Sequence, residues 1–145
     1  MKKMVIECRA VFGHRAKGRA LVTNQPLCLY DSLNPESGFI INRRHELYGE
    51  NVSGKILVFP YGIGSSTSSA VILEACRRNK APRAIINLET EPIIAVGAIL
   101  AERLYGKIIT IVDKPKINPI EVIKRGDLVK VNANTGIVEI FKNNS

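Results

Sequence analysis

The stretch KILVFPYGIGSSTSSAVILEACRRNKAPRAIINL, residues 55–88, changes its period twice, and those changes decide the fold. KILVFP (55–60) is a short, unbroken apolar run, the pattern of a strand covered on both faces. Residues 61–69 then turn to glycines and hydroxyl side chains. From Ser68 to Asn79 apolar residues fall almost all round a helical wheel, which predicts a mostly buried helix. Arg77, Arg78 and Lys80 suit the negative end of its dipole, and Pro82 stops it. AIINL (84–88) returns to the buried-strand pattern. A strand, a helix and a strand in this order predict a parallel βαβ unit.

Working outward, EPIIAVGAILAERLYG (91–106) reads as a second helix, with Pro92 tolerated in its first turn and Gly106 past its end. KIITIVD (107–113) is another buried strand, and KPKINP a loop. Toward the N-terminus, MVIECRAVF (4–12) and RALVT (19–23) read as strands joined by a loop, GHRAKG. Residues 24–38 are rich in turn formers, and GFIINR (38–43) is extended. DLVKVNANTGIVEIF (127–141) alternates about an Asn/Gly turn and predicts a β-hairpin, followed by a polar tail, Asn143–Ser145. The expectation is an α/β fold in one domain, residues 1–145, with a β-barrel-like core, flanking helices and β-hairpins.

Composition narrows the function. Apolar residues make up 46% of the chain and there is no Trp, ordinary values for a globular protein. No apolar run nears the ~20 residues of a membrane span, and MKKMVIECRA lacks the apolar core of a signal peptide. A cytoplasmic chain without a membrane partner is expected. The net charge of +8 calls for an acidic partner or an anionic substrate. The cations are scattered in short clusters without interleaved aromatics, so no nucleic-acid partner is expected. Cys8, Cys28 and Cys76 form no CxxC, so no metal site is expected in this chain and the thiols read as buried.

The loop YGIGSSTSS (61–69) carries the candidate chemistry. It follows a strand and opens a helix, at the edge where open α/β sheets bind ligands. Gly62 and Gly64 allow close backbone approach, and the first amides of the helix lack partners and attract anions. From spacing alone three readings stay open. Ser68 or Ser69 is simply an N-cap, the loop is an anion nest, or one serine is a nucleophile. A GxSxG elbow is absent, as is GxxxxGK[ST], which argues against a serine hydrolase and an NTPase. Neither His14 nor His45 can be placed beside the loop from sequence, and His45 reads as an ordinary loop histidine.

YGIGSS, followed by a helix and RAII, resembles the serine loop of the aconitase swivelling domain, where aconitases proper carry YGEGSSREH. From PLCLYDS (26–32) through AERLYG (101–106) the chain is more similar still to the aconitase X branch and its stand-alone small subunits. The resemblance implies a swivelling β/β/α domain and a large-subunit partner that holds a [4Fe-4S] or related iron–sulfur cluster. It implies a hydro-lyase, inactive without that partner, in the archaeal mevalonate route to isoprenoids. Mevalonate 5-phosphate, an anionic phosphorylated substrate, would lose water to give trans-anhydromevalonate 5-phosphate. Ser65 would be the catalytic base, with Gly64, Ser66 and Gly62 binding or supporting substrate. Thr67 and Ser68 stand where aconitases proper have Arg and Glu, which argues against citrate or isocitrate. Asp31 and Ser32 stand where the branch often has Gly-Gly. The serine loop does not choose between this substrate and another, such as a hydroxyproline, and a non-catalytic anion-binding module would use the same nest.

Overall fold

The computed structural model describes residues 2–142; Met1 and the predicted polar tail, Asn143–Ser145, lie outside the described residues. Among the described residues eight strands form one mixed sheet: β1 (Lys2–Glu7), β2 (Arg9–Phe12), β3 (Arg15–Val22), β4 (Ile56–Val58), β5 (Ala84–Ile86), β6 (Thr110–Asp113), β7 (Leu128–Asn132) and β8 (Ile137–Lys142). Their order is β1-β8-β7-β3-β4-β5-β6-β2. The terminal strands of that order, β1 and β2, are separated in the chain by Cys8 alone, so the sheet curls into a half-barrel.

The predicted βαβ unit is present. β4, β5 and β6 run parallel, and helices α2 (Ser68–Arg77) and α3 (Pro92–Tyr105) make the crossovers. Period-2 alternation divides the core. Leu57, Ile85 and Ile111 face a cluster that includes Ile72 and Ile94 of the two helices. Ile56, Val58, Ile86 and Val112 face the opposite cluster, built with Ile6, Val129, Val138 and Ile140 of the antiparallel strands. The three parallel strands are therefore buried on both sides, as their unbroken apolar runs require. Gly97 lets α3 approach α2, because a Cβ there would stand 3.0 Å from Ile72 and 3.1 Å from the Ser69 carbonyl.

Four expectations change. MVIECRAVF is two strands: β1 pairs with β8 and β2 with β6, and the Cys8 amide donates to the Gly136 carbonyl at the break. GHRAKG is not wholly a loop, since β3 begins at Arg15. Arg15–Arg19 pair antiparallel with β7, and Ala20–Val22 pair parallel with β4. The inward residues there, Ala16 and Gly18, are too small to give a hydrophobic signal. A Cβ on Gly18 would stand 2.8 Å from the Gly54 carbonyl oxygen, so small size is itself a packing requirement. A short helix, α1 (Leu29–Ser32), interrupts the segment expected to be turns, and a second, α4 (Pro119–Val122), begins at the last residue of the predicted loop KPKINP and runs on into a stretch without a predicted element. Finally, α2 ends at Arg77 and leaves through Asn79 at φ +59, with the Lys80 amide bonded back to Ala75.

Candidate functional site

The serine loop leaves β4 at the C-terminal edge of the parallel strands. Its base is fixed by backbone bonds. Leu88 and Glu89 amides donate to the Pro60 carbonyl, and buried Asn87 donates through Nδ2 to the Phe59 carbonyl at 2.9 Å. On its other side the loop pairs with residues 27–30. The Leu27 amide donates to Tyr61, the Ile63 amide donates to Leu27, and the two segments form a parallel bridge at Leu27 and Gly62. Buried Gly62 leaves room for Ile94, whose Cδ1 would be 2.6 Å from a Cβ at that position. Gly64 stands at φ +91, where a Cβ would also meet Cys28 Sγ at 2.6 Å.

These restraints deliver Ser65 to the start of α2. Its Oγ accepts the Thr67 amide at 3.0 Å and its carbonyl accepts the Ser68 amide at 3.1 Å. An N-cap role is expected of Ser68 or Ser69, whereas Thr67 stands at the N-cap and no side chain caps α2; Ser65 Oγ bonds the Thr67 amide just before the helix. The structure corrects that expectation: the Ser68 hydroxyl, only 5% exposed, instead accepts the Tyr30 amide at 3.0 Å. Ser69 Oγ donates to the Ser66 carbonyl. Thr67 itself has helical angles (φ −63, ψ −15) and makes no side-chain cap. Ser65 is half-buried and Ser66 exposed, and the amides of Gly64, Ser65 and Ser66 donate to no protein acceptor among the described residues. Ser65, Ser66 and Gly64 thus share one open shelf, with Gly62 beneath it.

Neither histidine bonds to the serine loop. His45 is 9% exposed; its Nδ1 accepts the Leu47 amide, which leaves Nε2–H to donate to the Pro26 carbonyl. His14 packs by Thr110 at the opposite end of the parallel strands, so no histidine joins Ser65 in a triad. Lys80 lies past the C-terminal end of α2, away from the serine loop. Arg43 and Arg44 belong to the excursion between β3 and β4, on the serine edge.

The three thiols do not converge. Cys28 packs on Gly64, Cys8 sits between β1 and β2, and Cys76 lies near the end of α2. Burial pushes both Cys8 and Cys76 up to about 11, which keeps them protonated. Among the described residues no three His, Cys, Asp or Glu side chains gather to hold a metal ion.

Asp113, missed by the sequence reading, anchors the neighbouring edge. Burial alone would raise its pKa. The Arg9 guanidinium, at 2.8 and 2.9 Å, and the Thr90 amide, at 2.8 Å, hold it below the ordinary carboxylate value instead. The signal was faint because Arg9 is 104 residues away in the chain. Leu27, Gly62, Ser68 and Ile94 close behind the loop and leave no room for a water-sized guest. A concavity of about 570 Å3 lies on the distant face of β3, β7 and β8, lined by Arg15, Lys17 and Lys130 among others. The chemistry of the serine shelf, rather than cavity size, identifies the candidate site.

Comparison with known proteins agrees with this geometry. The family model described as the aconitase X swivel domain matches residues 5–140. A phosphomevalonate dehydratase small subunit from Methanosarcina acetivorans is 42% identical over 127 residues, 88% of this chain and 84% of that relative. The protein of the same name from Archaeoglobus fulgidus is 42% identical over 139 residues, 96% of this chain and 100% of that one. The crystal structure of Thermococcus kodakaraensis aconitase X, in its holo form, superposes with a TM-score of 0.86 at 36% identity, covering 96% of this chain and 99% of that chain. With its half-barrel sheet, its two crossover helices and the serine loop between β4 and α2, the chain belongs to the aconitase X family as a swivel domain.

Proposed function

We propose that this chain is the small subunit of a hydro-lyase and contributes Ser65 as the base, with a larger partner subunit completing the site. The reading is carried by the Thr67 amide directed at Ser65 Oγ at the start of α2. An N–H donor on the hydroxyl oxygen favours its anionic form, and the helix dipole acts in the same sense. The dipole contributes about 0.3–2 kcal/mol. An alcohol needs several pKa units at ~1.4 kcal/mol each, so a cation from the partner must supply the rest. That need makes the isolated chain inactive.

The relatives' name, phosphomevalonate dehydratase small subunit, supports mevalonate 5-phosphate as substrate and a large subunit as partner. In the step assigned to this chain, Ser65 takes a proton from the carbon next to the carboxylate. The C–H electron pair becomes the new double bond as the C–O bond breaks, and the departing hydroxide takes up a proton from solvent to leave as water, giving trans-anhydromevalonate 5-phosphate. An iron–sulfur cluster on the partner supplies Lewis-acid activation of the leaving hydroxyl. Ser66 donates a hydrogen bond to the substrate, Gly64 holds the turn, and Gly62 supports it from below. The net charge of +8 suits a substrate bearing both phosphate and carboxylate.

The decisive experiment is anaerobic co-purification with the corresponding large subunit and a dehydration assay on mevalonate 5-phosphate. Turnover is expected only with both chains present. Ser65→Ala should abolish it while leaving assembly intact; retained activity removes Ser65 from the mechanism. The free amides of residues 64–66 favour a second reading, a non-catalytic anion nest. Tight phosphate binding by the isolated chain, with no turnover in the complex, would select it.

A further inference from the structure

Five large apolar side chains stand exposed around the serine shelf. Tyr61 and Ile63 belong to the loop itself, and Tyr30, Ile41 and Tyr48 to the excursion between β3 and β4; each is 45–55% exposed. Hydrogen bonds tie their segments together. Residues 61–63 pair with residue 27, the Tyr30 amide reaches Ser68, the Ile41 amide donates to Ser32, and the Gly49 amide donates to Ile40. Arg43 and Arg44 lie between Ile41 and Tyr48, are exposed, and have no ion-pair partner among the described residues. Contiguous exposed apolar side chains mark an interaction site, and Tyr with Arg is the composition of interface hot spots.

We infer that this surface, Tyr30, Ile41, Tyr48, Tyr61 and Ile63 with Arg43 and Arg44, is where the partner subunit docks. The inference rests on the proposed two-subunit reading. Three observations choose the occupant. Gly64 and Ser66 are exposed and Ser65 is half-buried, so a second wall for the shelf comes from whatever covers this edge. Tyr61 and Ile63 belong to the loop that carries the shelf, so covering them would dock the partner and complete the site in one event. The two guanidiniums have no carboxylate partner among the described residues and would pair best with acidic side chains beside apolar hollows on the covering surface. A second apolar stripe, Val96, Ile99, Leu100 and Leu104 on α3, is also exposed, but it points away from the sheet and carries no such link to Ser65.

The test uses the full chain, tagged, and the corresponding large subunit. Ile41→Asp with Tyr48→Asp should weaken association by roughly 10-fold or more, while Leu104→Asp leaves it unchanged. All three positions are solvent-exposed, and circular dichroism with thermal melting verifies the fold of each variant. Arg43→Glu with Arg44→Glu should slow association and reduce its salt dependence. A complex that forms equally well with the Ile41/Tyr48 variant, or that is lost with Leu104→Asp, overturns the docking surface while leaving the two-subunit reading standing. Failure of the wild-type chains to associate overturns the two-subunit reading itself. Self-association of the chain that disappears with Ile41→Asp would assign the surface to a second copy and overturn the proposal.

Discussion

At Gly64 two constraints coincide, a left-handed backbone and a thiol where a side chain would go. Gly64→Ala should destabilise the chain by about 1–3 kcal/mol, read from thermal or denaturant unfolding. Adding Cys28→Ala should recover only the part due to the clash. A double variant as stable as the wild type would mean that φ contributes nothing. Ser68 and Ser69 differ in the same measurable way. Ser68→Ala leaves the Tyr30 amide unpaired beside a buried position, at a cost of about 1–3 kcal/mol. Ser69→Ala loses only a hydroxyl bond to an exposed turn and should cost less; the reverse order in unfolding free energies would contradict the assignment. The sequence made the serines visible as a group. It did not assign their tasks, because Tyr30 comes to Ser68 from 38 residues away.

Among the elements, β3 was the least legible and is the most instructive. Its N-terminal half presents Arg15, Lys17 and Arg19 outward and pairs Lys17 directly with Lys130 of β7. Like charges directly opposite on one sheet face repel. Lys130 is already held over the Phe141 ring, 5.2 Å from its centroid, so Lys17 is the residue to change. Lys17→Thr should raise stability by about 0.2–1 kcal/mol at low salt, and the gain should fade near ~1 M salt, where the Debye length is ~3 Å. Melting curves at both ionic strengths check it. The helices were legible for the opposite reason. Their apolar residues are large and periodic, and α3 adds a Pro at its start, a Glu91 side chain accepting the Ile93 amide, and Gly106 at φ +64 beyond its end.

For the molecule as a whole, closure of the half-barrel concentrates on Asp113. Arg9 reaches it from β2 and the Thr90 amide from the connection into α3, so one carboxylate ties the closing strand to the parallel core. Its pKa in the folded chain lies below the ordinary aspartate value. The unfolded chain therefore binds its proton first. The stabilisation is present above about pH 4 and is lost as pH falls through the folded value. Asp113→Asn should flatten the acid limb of the stability curve below that pH. At neutral pH it should cost about 1–3 kcal/mol, much of it from the weakened bond to the Thr90 amide. Unfolding midpoints of both proteins from neutral pH to strong acid provide the check; parallel curves would place the acid response on other carboxylates.

By itself the sequence determined the βαβ–α–β core, the C-terminal hairpin and the position of the serine loop. Each of these is a local pattern, an apolar period bounded by Pro, Gly or hydroxyl residues. Tertiary structure alone decided that one N-terminal run becomes two strands on opposite ends of the sheet order. It also decided that the Ser68 hydroxyl takes the Tyr30 amide instead of capping α2, and that Arg9 closes on Asp113. These outcomes depend on hydrogen bonds between residues far apart in the chain, where the energy of a bond is set by what folding brings beside it and leaves no period to read.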